Sequence, residues 1–270
     1  MRRILSSVVL GLLALSAPAL AQSTGLRSLT TGDEGRGWEA VGRLDMGNSA
    51  FCTGTLIAPD MVLTAAHCLF DPRSGALVDP GDIEFRAGWR NGRAEAYRGV
   101  RRAVAHPEYR YEGRDRMDRV SDDLALLQLD RPIRNLRVTP FETAQTPASG
   151  DAVGVVSYAQ DRAEAPSFEE SCKVMERRAG VLMLTCSVDF GSSGAPVFVV
   201  SESGARVASV ISAKATLEGQ PVALATDLDT ALAPVLDAMA EGAGGVMNSG
   251  GTHAFVGTER REIGARFVKP

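Results

Sequence analysis

The chain has 270 residues, of which 44% are hydrophobic, 23% charged and 6% aromatic; this is globular make-up and excludes a wholly disordered or collagen-like chain. A formal net charge of −4 leaves no basic excess to hold a phosphate backbone, so no nucleic-acid partner is expected. In chain order, Met1-Arg2-Arg3, the apolar run Ile4–Leu15 and the small-residue stretch Ala17–Ala21 follow the pattern of a secretory signal peptide. Cleavage is expected after Ala21, leaving 27 basic and 33 acidic residues, a net charge of −6. Nothing later approaches the ~18 uninterrupted apolar residues of a helical span, so no membrane span is expected after cleavage. Residues 22–37 are rich in Gly, Ser, Thr and charge and are expected to form a flexible N-terminus or short pro-segment.

From Trp38 the pattern changes to short apolar stretches: Ala50–Ala58, Met61–Thr64, Ile83–Ala87, Leu124–Leu129, Ala152–Tyr158, Val181–Cys186, Val197–Val200, Val207–Ser212 and Val222–Thr226. Turn signals such as Ala58-Pro59-Asp60, Asp79-Pro80-Gly81-Asp82 and Glu218-Gly219-Gln220-Pro221 lie between them. Short strands with this punctuation predict an all-β sandwich or barrel over residues 38–240, and the lack of alternating long helices argues against a doubly wound α/β fold. One helix is predicted late, with Leu228, Leu232, Val235, Leu236 and Met239 on one face and Pro234 in its first turn. Residues 241–270 read as a Gly-rich linker and a disordered tail.

Four cysteines, Cys52, Cys68, Cys172 and Cys186, form an even count in an exported chain and point to disulfides. Three pairings are open; joining sequence neighbours is the simplest. Without a C-x-x-C or H-x-x-x-H pair, no zinc site is expected. Acids in Phe70–Asp82 lack a diagnostic calcium-ligand spacing, so neither a metal nor any other cofactor is expected.

Three features carry chemistry. His67 lies in Leu63-Thr64-Ala65-Ala66-His67-Cys68, and a histidine is the side chain best suited to act as a base near neutral pH. Ser193 lies in Gly191-Ser192-Ser193-Gly194-Ala195-Pro196, where flanking glycines allow a sharp turn and close approach to a substrate. Asp123 opens Asp123-Leu124-Ala125-Leu126-Leu127, with Asp122 as the adjacent alternative. Each feature alone fits an ordinary turn, cap or core residue. Together, a serine, a base and an orienting acid are what nucleophilic acyl transfer requires.

With those motifs in their order His, Asp, Ser, the sequence resembles the chymotrypsin-like (trypsin-like) serine proteases of bacterial exported type. Phe51-Cys52-Thr53-Gly54-Thr55-Leu56-Ile57 resembles the strand before their histidine, and the resemblance runs from about Trp38 to Ala240. It implies two six-stranded antiparallel β-barrels with a C-terminal helix. It implies Ser193 as nucleophile, His67 as base and Asp123 as the acid that orients it, with the amides of Gly191 and Ser193 as oxyanion hole. It implies a Cys52–Cys68 disulfide bracing the histidine loop. Cys172 and Cys186 flank a stretch with Gly180 near its middle, so a second bridge across two strands is expected. His106 is expected to be structural.

Departures from the family pattern are informative. Many members carry Asp immediately before the nucleophile, paired with a new N-terminus freed by activation cleavage; here that residue is Ser192, and no Ile-Val-Gly-Gly start is present. The pocket floor, six residues before the nucleophile, is Ser187, with Asp189 two residues on and Ser212 in the facing strand. Glutamyl endopeptidases carry a histidine in that strand, whereas Val210-Ile211-Ser212-Ala213 holds none, so an uncharged side chain is expected before the cleaved bond. The expected function is a secreted or periplasmic serine endopeptidase, a hydrolase of peptide or protein substrates acting as a monomer. The alternatives are a catalytically silent homologue that binds peptides or proteins, and an esterase; the latter lacks a Gly-x-Ser-x-Gly elbow.

Overall fold

Fourteen strands and two α-helices occupy residues 26–47, 50–111 and 117–246, the part of the chain that the computed structural model describes. The expected signal peptide and residues 247–270 of the expected tail lie outside the described residues. Strands β2 (Val41–Met46), β3 (Ala50–Ala58), β4 (Met61–Thr64), β5 (Ile83–Ala87), β6 (Ala96–Ala105) and β7 (Ala125–Leu129) form the first sheet. Their antiparallel pairing runs β2-β3-β4-β7-β6-β5 and returns to β2, closing a barrel. Strands β8 (Ala152–Ala159), β9 (Arg162–Arg178), β10 (Val181–Leu184), β11 (Pro196–Ser201), β12 (Gly204–Leu217) and β13 (Gln220–Asp227) close the second in the order β8-β9-β10-β13-β12-β11. The expected pair of six-stranded barrels is therefore present.

Period-two patterning explains the clearest strands. In β5, Ile83, Phe85 and Ala87 are buried while Glu84 and Arg86 face outward. In β7, Ala125, Leu126 and Leu127 are all buried, because the helix α2 (Leu228–Ala240) covers the outer face of this strand as the barrel fills the inner one. A fully buried leucine contributes ~1.5–3 kcal/mol, so this covered strand is a strong anchor. Between the barrels, Trp38 packs on Phe168 and Phe198 at centroid distances of 4.8 and 5.0 Å, and Phe141 lies against Phe198 at 4.7 Å.

The structure departs from the sequence expectations at the ends. Residues expected to be a flexible N-terminus instead form β1 (Leu26–Ser28), paired with β9, and Leu29 is fully buried. Helix α2 continues past Pro234, which lies in its interior rather than in the first turn. One missing N–H is tolerated because Leu228, Ala231, Val235 and Met239 are buried against the first barrel; Leu236, expected on that face, is exposed. The start of the expected linker is docked: β14 (Gly245–Val246) pairs with β6. Arg102 of β6 donates to the carbonyls of Ala238, Met239 and Ala243, satisfying acceptors at the end of α2.

At the other end of α2, Asp227 is the buried N-cap. It accepts hydrogen bonds from the Asp229 amide (2.9 Å), Thr146 Oγ1 (2.5 Å) and Arg177 Nε (2.7 Å). Asp227→Ala removes the cap, takes from the buried Thr146 hydroxyl the shorter of its two acceptors and leaves only the longer one, the Ala208 carbonyl at 3.3 Å. A loss of about 2–3 kcal/mol is expected, read calorimetrically as a melting temperature lower by roughly 4–12 °C. An unchanged melting temperature would show that the helix start is held by packing alone.

Candidate active site

Elements of both barrels meet around His67, Asp123 and the Gly191–Gly194 turn. In the first barrel, β4 ends at Thr64 and a 3₁₀ turn over Ala66–Leu69 carries His67. The Cys52–Cys68 disulfide ties this turn back to β3, as the resemblance implied. Asp123 lies just after α1 (Met117–Ser121) and before β7, with its side chain buried. Thr226 of the second barrel donates its hydroxyl to the carbonyls of Val120 (2.7 Å) and Asp123 (3.2 Å), fixing the turn from the far side.

Asp123 accepts every donor that surrounds it. Its Oδ2 lies 2.7 Å from His67 Nδ1 and also accepts from Ser212 Oγ, and its Oδ1 accepts from the His67 amide at 2.8 Å. Burial alone would push this carboxyl up. The His67 charge and hydrogen bond, the Ser212 hydroxyl and the His67 amide outweigh it and hold the carboxyl below its ordinary range. Asp122, the adjacent alternative, faces elsewhere, with Oδ1 3.9 Å from His106 Nδ1. His106 is buried, accepts the Glu108 amide at 3.2 Å, and is pushed down in pKa by that burial.

The second barrel supplies the Gly191–Gly194 turn. Gly191 and Gly194 have φ of +93° and +78°. A Cβ on Gly194 would sit 2.1 Å from Thr64 Oγ1 and 2.3 Å from the Thr53 carbonyl, so only glycine fits beside the histidine strand. The fully buried Thr53 of β3 clamps the turn. Its amide donates to the Ser193 carbonyl at 2.8 Å, and its hydroxyl donates to the Gly191 carbonyl at 2.8 Å. Sequence reasoning placed Thr53 in a matching strand but gave it no role; a threonine in a strand carries no local signal of a partner 138 residues away. The amides of Gly191 and Ser193 donate to no acceptor among the described residues. Ser193 is half-buried, and no hydrogen bond joins its Oγ to His67 among the described residues. Hydrogen bonds of this kind are often long before substrate binds.

Ser187, Asp189 and Ser212, the three residues expected to line a pocket, each have defined partners in the structure. Ser187 is exposed, and its amide donates to Glu169 Oε2 at 2.8 Å. Asp189 is exposed, accepts the Phe190 amide and lies 3.8 Å from Lys214 Nζ. The Ser212 hydroxyl donates to Asp123 Oδ2. Glu169 of β9, overlooked among the charges of that strand, is 5% exposed. Burial pushes its carboxyl up, opposed by the Ser187 amide and Arg162. The Cys172–Cys186 disulfide closes the segment just before Ser187. Donor atoms of Cys52, His67 and Cys68 lie within 4.8 Å of one another, but the two sulfurs are bonded to each other and offer a cation no thiolate.

Comparison with known proteins gives a consistent picture. The trypsin family profile matches residues 30–230. The glutamyl endopeptidase of Bacillus licheniformis is 30% identical over 159 residues, 56% of this chain and 46% of that protein. Mannan-binding lectin serine protease 1 of Homo sapiens is 31% identical over 120 residues, 40% of this chain and 16% of that protein. Serine protease SP24D of Anopheles gambiae is 36% identical over 110 residues, 40% of this chain and 37% of that protein. The chain thus spans less than half the length of each of these three relatives. A solved structure of Glu endopeptidase in complex with MPD superposes with a TM-score of 0.61 at 19% identity, covering 76% of this chain and 91% of that one, a likeness of fold.

Proposed function

The chain belongs to the trypsin family, and from that premise we propose that it is an exported serine endopeptidase using Ser193, His67 and Asp123 through an acyl-enzyme. The observation that carries this reading is the 2.7 Å contact of His67 Nδ1 with buried Asp123, on a barrel whose Thr53 clamps the glycine-walled turn with its two free amides. Ser193 Oγ attacks the scissile carbonyl carbon, and its proton passes to His67 Nε2. Asp123 keeps the imidazole proton on Nδ1 and offsets the positive charge that forms. The carbonyl oxygen becomes an oxyanion held by the Gly191 and Ser193 amides. His67 then donates its proton to the leaving amine, the C–N bond breaks and the acyl group remains on Ser193. A water, deprotonated by His67, attacks the ester carbon; the bond to Ser193 Oγ breaks, His67 returns the proton to that oxygen and the carboxylic acid product leaves.

Peptide or protein substrates follow from this chemistry, and action as a monomer remains the expectation. The preference in the name of the Bacillus licheniformis relative is not carried over, because Val210–Ala213 holds no histidine. Two disulfides support export, and no helix of the described residues is long and apolar enough to cross a membrane. Active-site labelling tests the reading. The chain from Gln22 onward, folded under oxidising conditions, is expected to gain one fluorophosphonate adduct by intact mass, and Ser193→Ala none. A folded parent that takes no label would favour a silent, peptide-binding homologue; turnover of esters without peptides would favour an esterase.

A further inference from the structure

Ser192, immediately before the proposed nucleophile, is fully buried. Its Oγ lies 3.3 Å from both Ser157 Oγ and the Tyr158 carbonyl of β8, and it accepts the Asp189 amide at 3.4 Å. Ser157 is itself 1% exposed, and Arg162 holds it: Nη1 donates to the Ser157 carbonyl at 3.1 Å and to its Oγ at 3.2 Å. The Arg162 side chain is 14% exposed, across the β8–β9 hairpin from Ser157. Asp161 Oδ1 lies 3.6 Å from it, and Glu169 and Asp189 also act on its charge. The hairpin tip grips the same turn by its backbone, with the Gln160 amide donating to the Phe190 carbonyl at 2.7 Å.

We propose that Arg162, Ser157 and Ser192 form a positioning relay that locks the Gly191–Ser193 amides in their oxyanion-binding arrangement without help from the N-terminus. The physical reasoning is one of charge and reach. An aspartate at position 192 would be a buried anion and would need a cation delivered to it. A neutral serine there needs only acceptors and donors, and β8 supplies them. Arg162 makes its polar contribution one step back, on Ser157, where its charge is already faced by acids. The observed N-terminal strand runs elsewhere: β1 lies along the outer edge of β9, with Leu26 opposite Glu169 and Ser28 opposite Ser167. Ser192 and Arg162 are positioning residues, since neither is placed to touch a substrate carbonyl.

This inference rests on the peptidase reading, and the experiment separates the two. Two forms of the chain are compared, one starting at Gln22 and one carrying an uncleavable extension before it. Equal kcat/KM for a peptide substrate is expected. Ser192→Ala is expected to lower kcat by about 10–100-fold with KM nearly unchanged, and to weaken a peptide boronate by the same factor. Arg162→Gln should shift the same quantities in the same direction, and melting curves confirm that each variant is folded. An extended chain that stays inactive until trimmed would overturn the proposal. So would a labelled Ser192→Ala variant with the parent's kcat, or one whose loss lies in KM alone. A parent that takes no fluorophosphonate would overturn the peptidase reading itself and the relay with it.

Discussion

His67→Ala and Ser193→Ala are each expected to lower kcat/KM by about 10⁴–10⁶-fold, and the double variant is expected to be no worse than either alone. The two side chains act on one proton. Without the hydroxyl there is nothing to deprotonate, and without the imidazole the proton has no acceptor, so the second removal takes away what the first already disabled. What remains is set by the Gly191 and Ser193 amides and by substrate binding, which neither substitution touches. Folding should survive both changes. The Ser193 group that holds the turn is its backbone carbonyl, bound by the Thr53 amide, and alanine keeps it. In His67→Ala, Asp123 retains the residue-67 amide and the Ser212 hydroxyl. Pre-steady-state kinetics on an activated ester, with melting curves alongside, measures this directly. Losses that multiply in the double variant would mean that the two residues work independently and that the triad is wrongly assigned.

The parts of the fold that were legible in the sequence are those where burial is unambiguous. Strands β3, β4 and β5 fall where apolar stretches predicted them, because neighbouring charges mark their ends or alternate with their inward residues. Of strand β9 only the end leading from Cys172 to Gly180 is legible; the rest of Arg162–Arg178 is studded with charges and contains Pro166. It is a strand because its Ala165, Phe168, Cys172 and Val174 are buried while Glu164, Glu170, Lys173, Glu176, Arg177 and Arg178 are exposed, a pattern blurred by the buried Glu169 and by a bulge in its pairing with β8. Strand β1 was read as flexible because three residues offer no periodicity; its order comes from an edge of β9 that only the folded barrel presents. The site divides in the same way. His67, Asp123 and Ser193 sit in distinctive local strings, so their candidacy could be read. Ser212 and Thr53 could not be assigned their contacts, since a serine or threonine in an apolar strand looks the same whether it faces a carboxylate or a carbonyl. The pocket residues were least legible. Ser187 and Asp189 were placed by counting back from the nucleophile, and the path of a loop tied by Cys172–Cys186 is not set by counting.

Asp123→Asn is expected to cost about 10⁴-fold in kcat/KM while changing the shape of the site very little. Asp123 faces three donors: the His67 amide on Oδ1, and His67 Nδ1 and Ser212 Oγ on Oδ2. An asparagine must turn its NH₂ toward one side or the other. Toward the His67 amide, two donors face each other in a buried site. Toward His67 Nδ1, the imidazole must move its proton to Nε2, and a protonated Nε2 cannot take the proton of Ser193. The facing donors disfavour the first arrangement, so the second prevails and the base is lost. The same substitution has a stability signature whose sign follows from the depressed carboxyl of Asp123. A carboxyl held below its unfolded value stabilises the fold above that value, ~3.9, and the contribution is lost as pH falls through the folded value. The parent should therefore be more stable than Asp123→Asn near neutral pH, with the gap closing from about pH 4 downward. Urea unfolding of both proteins across that range measures the gap. One that stays constant with pH would mean that the Asp123 charge contributes nothing to folding and that its hydrogen bonds alone hold the histidine loop.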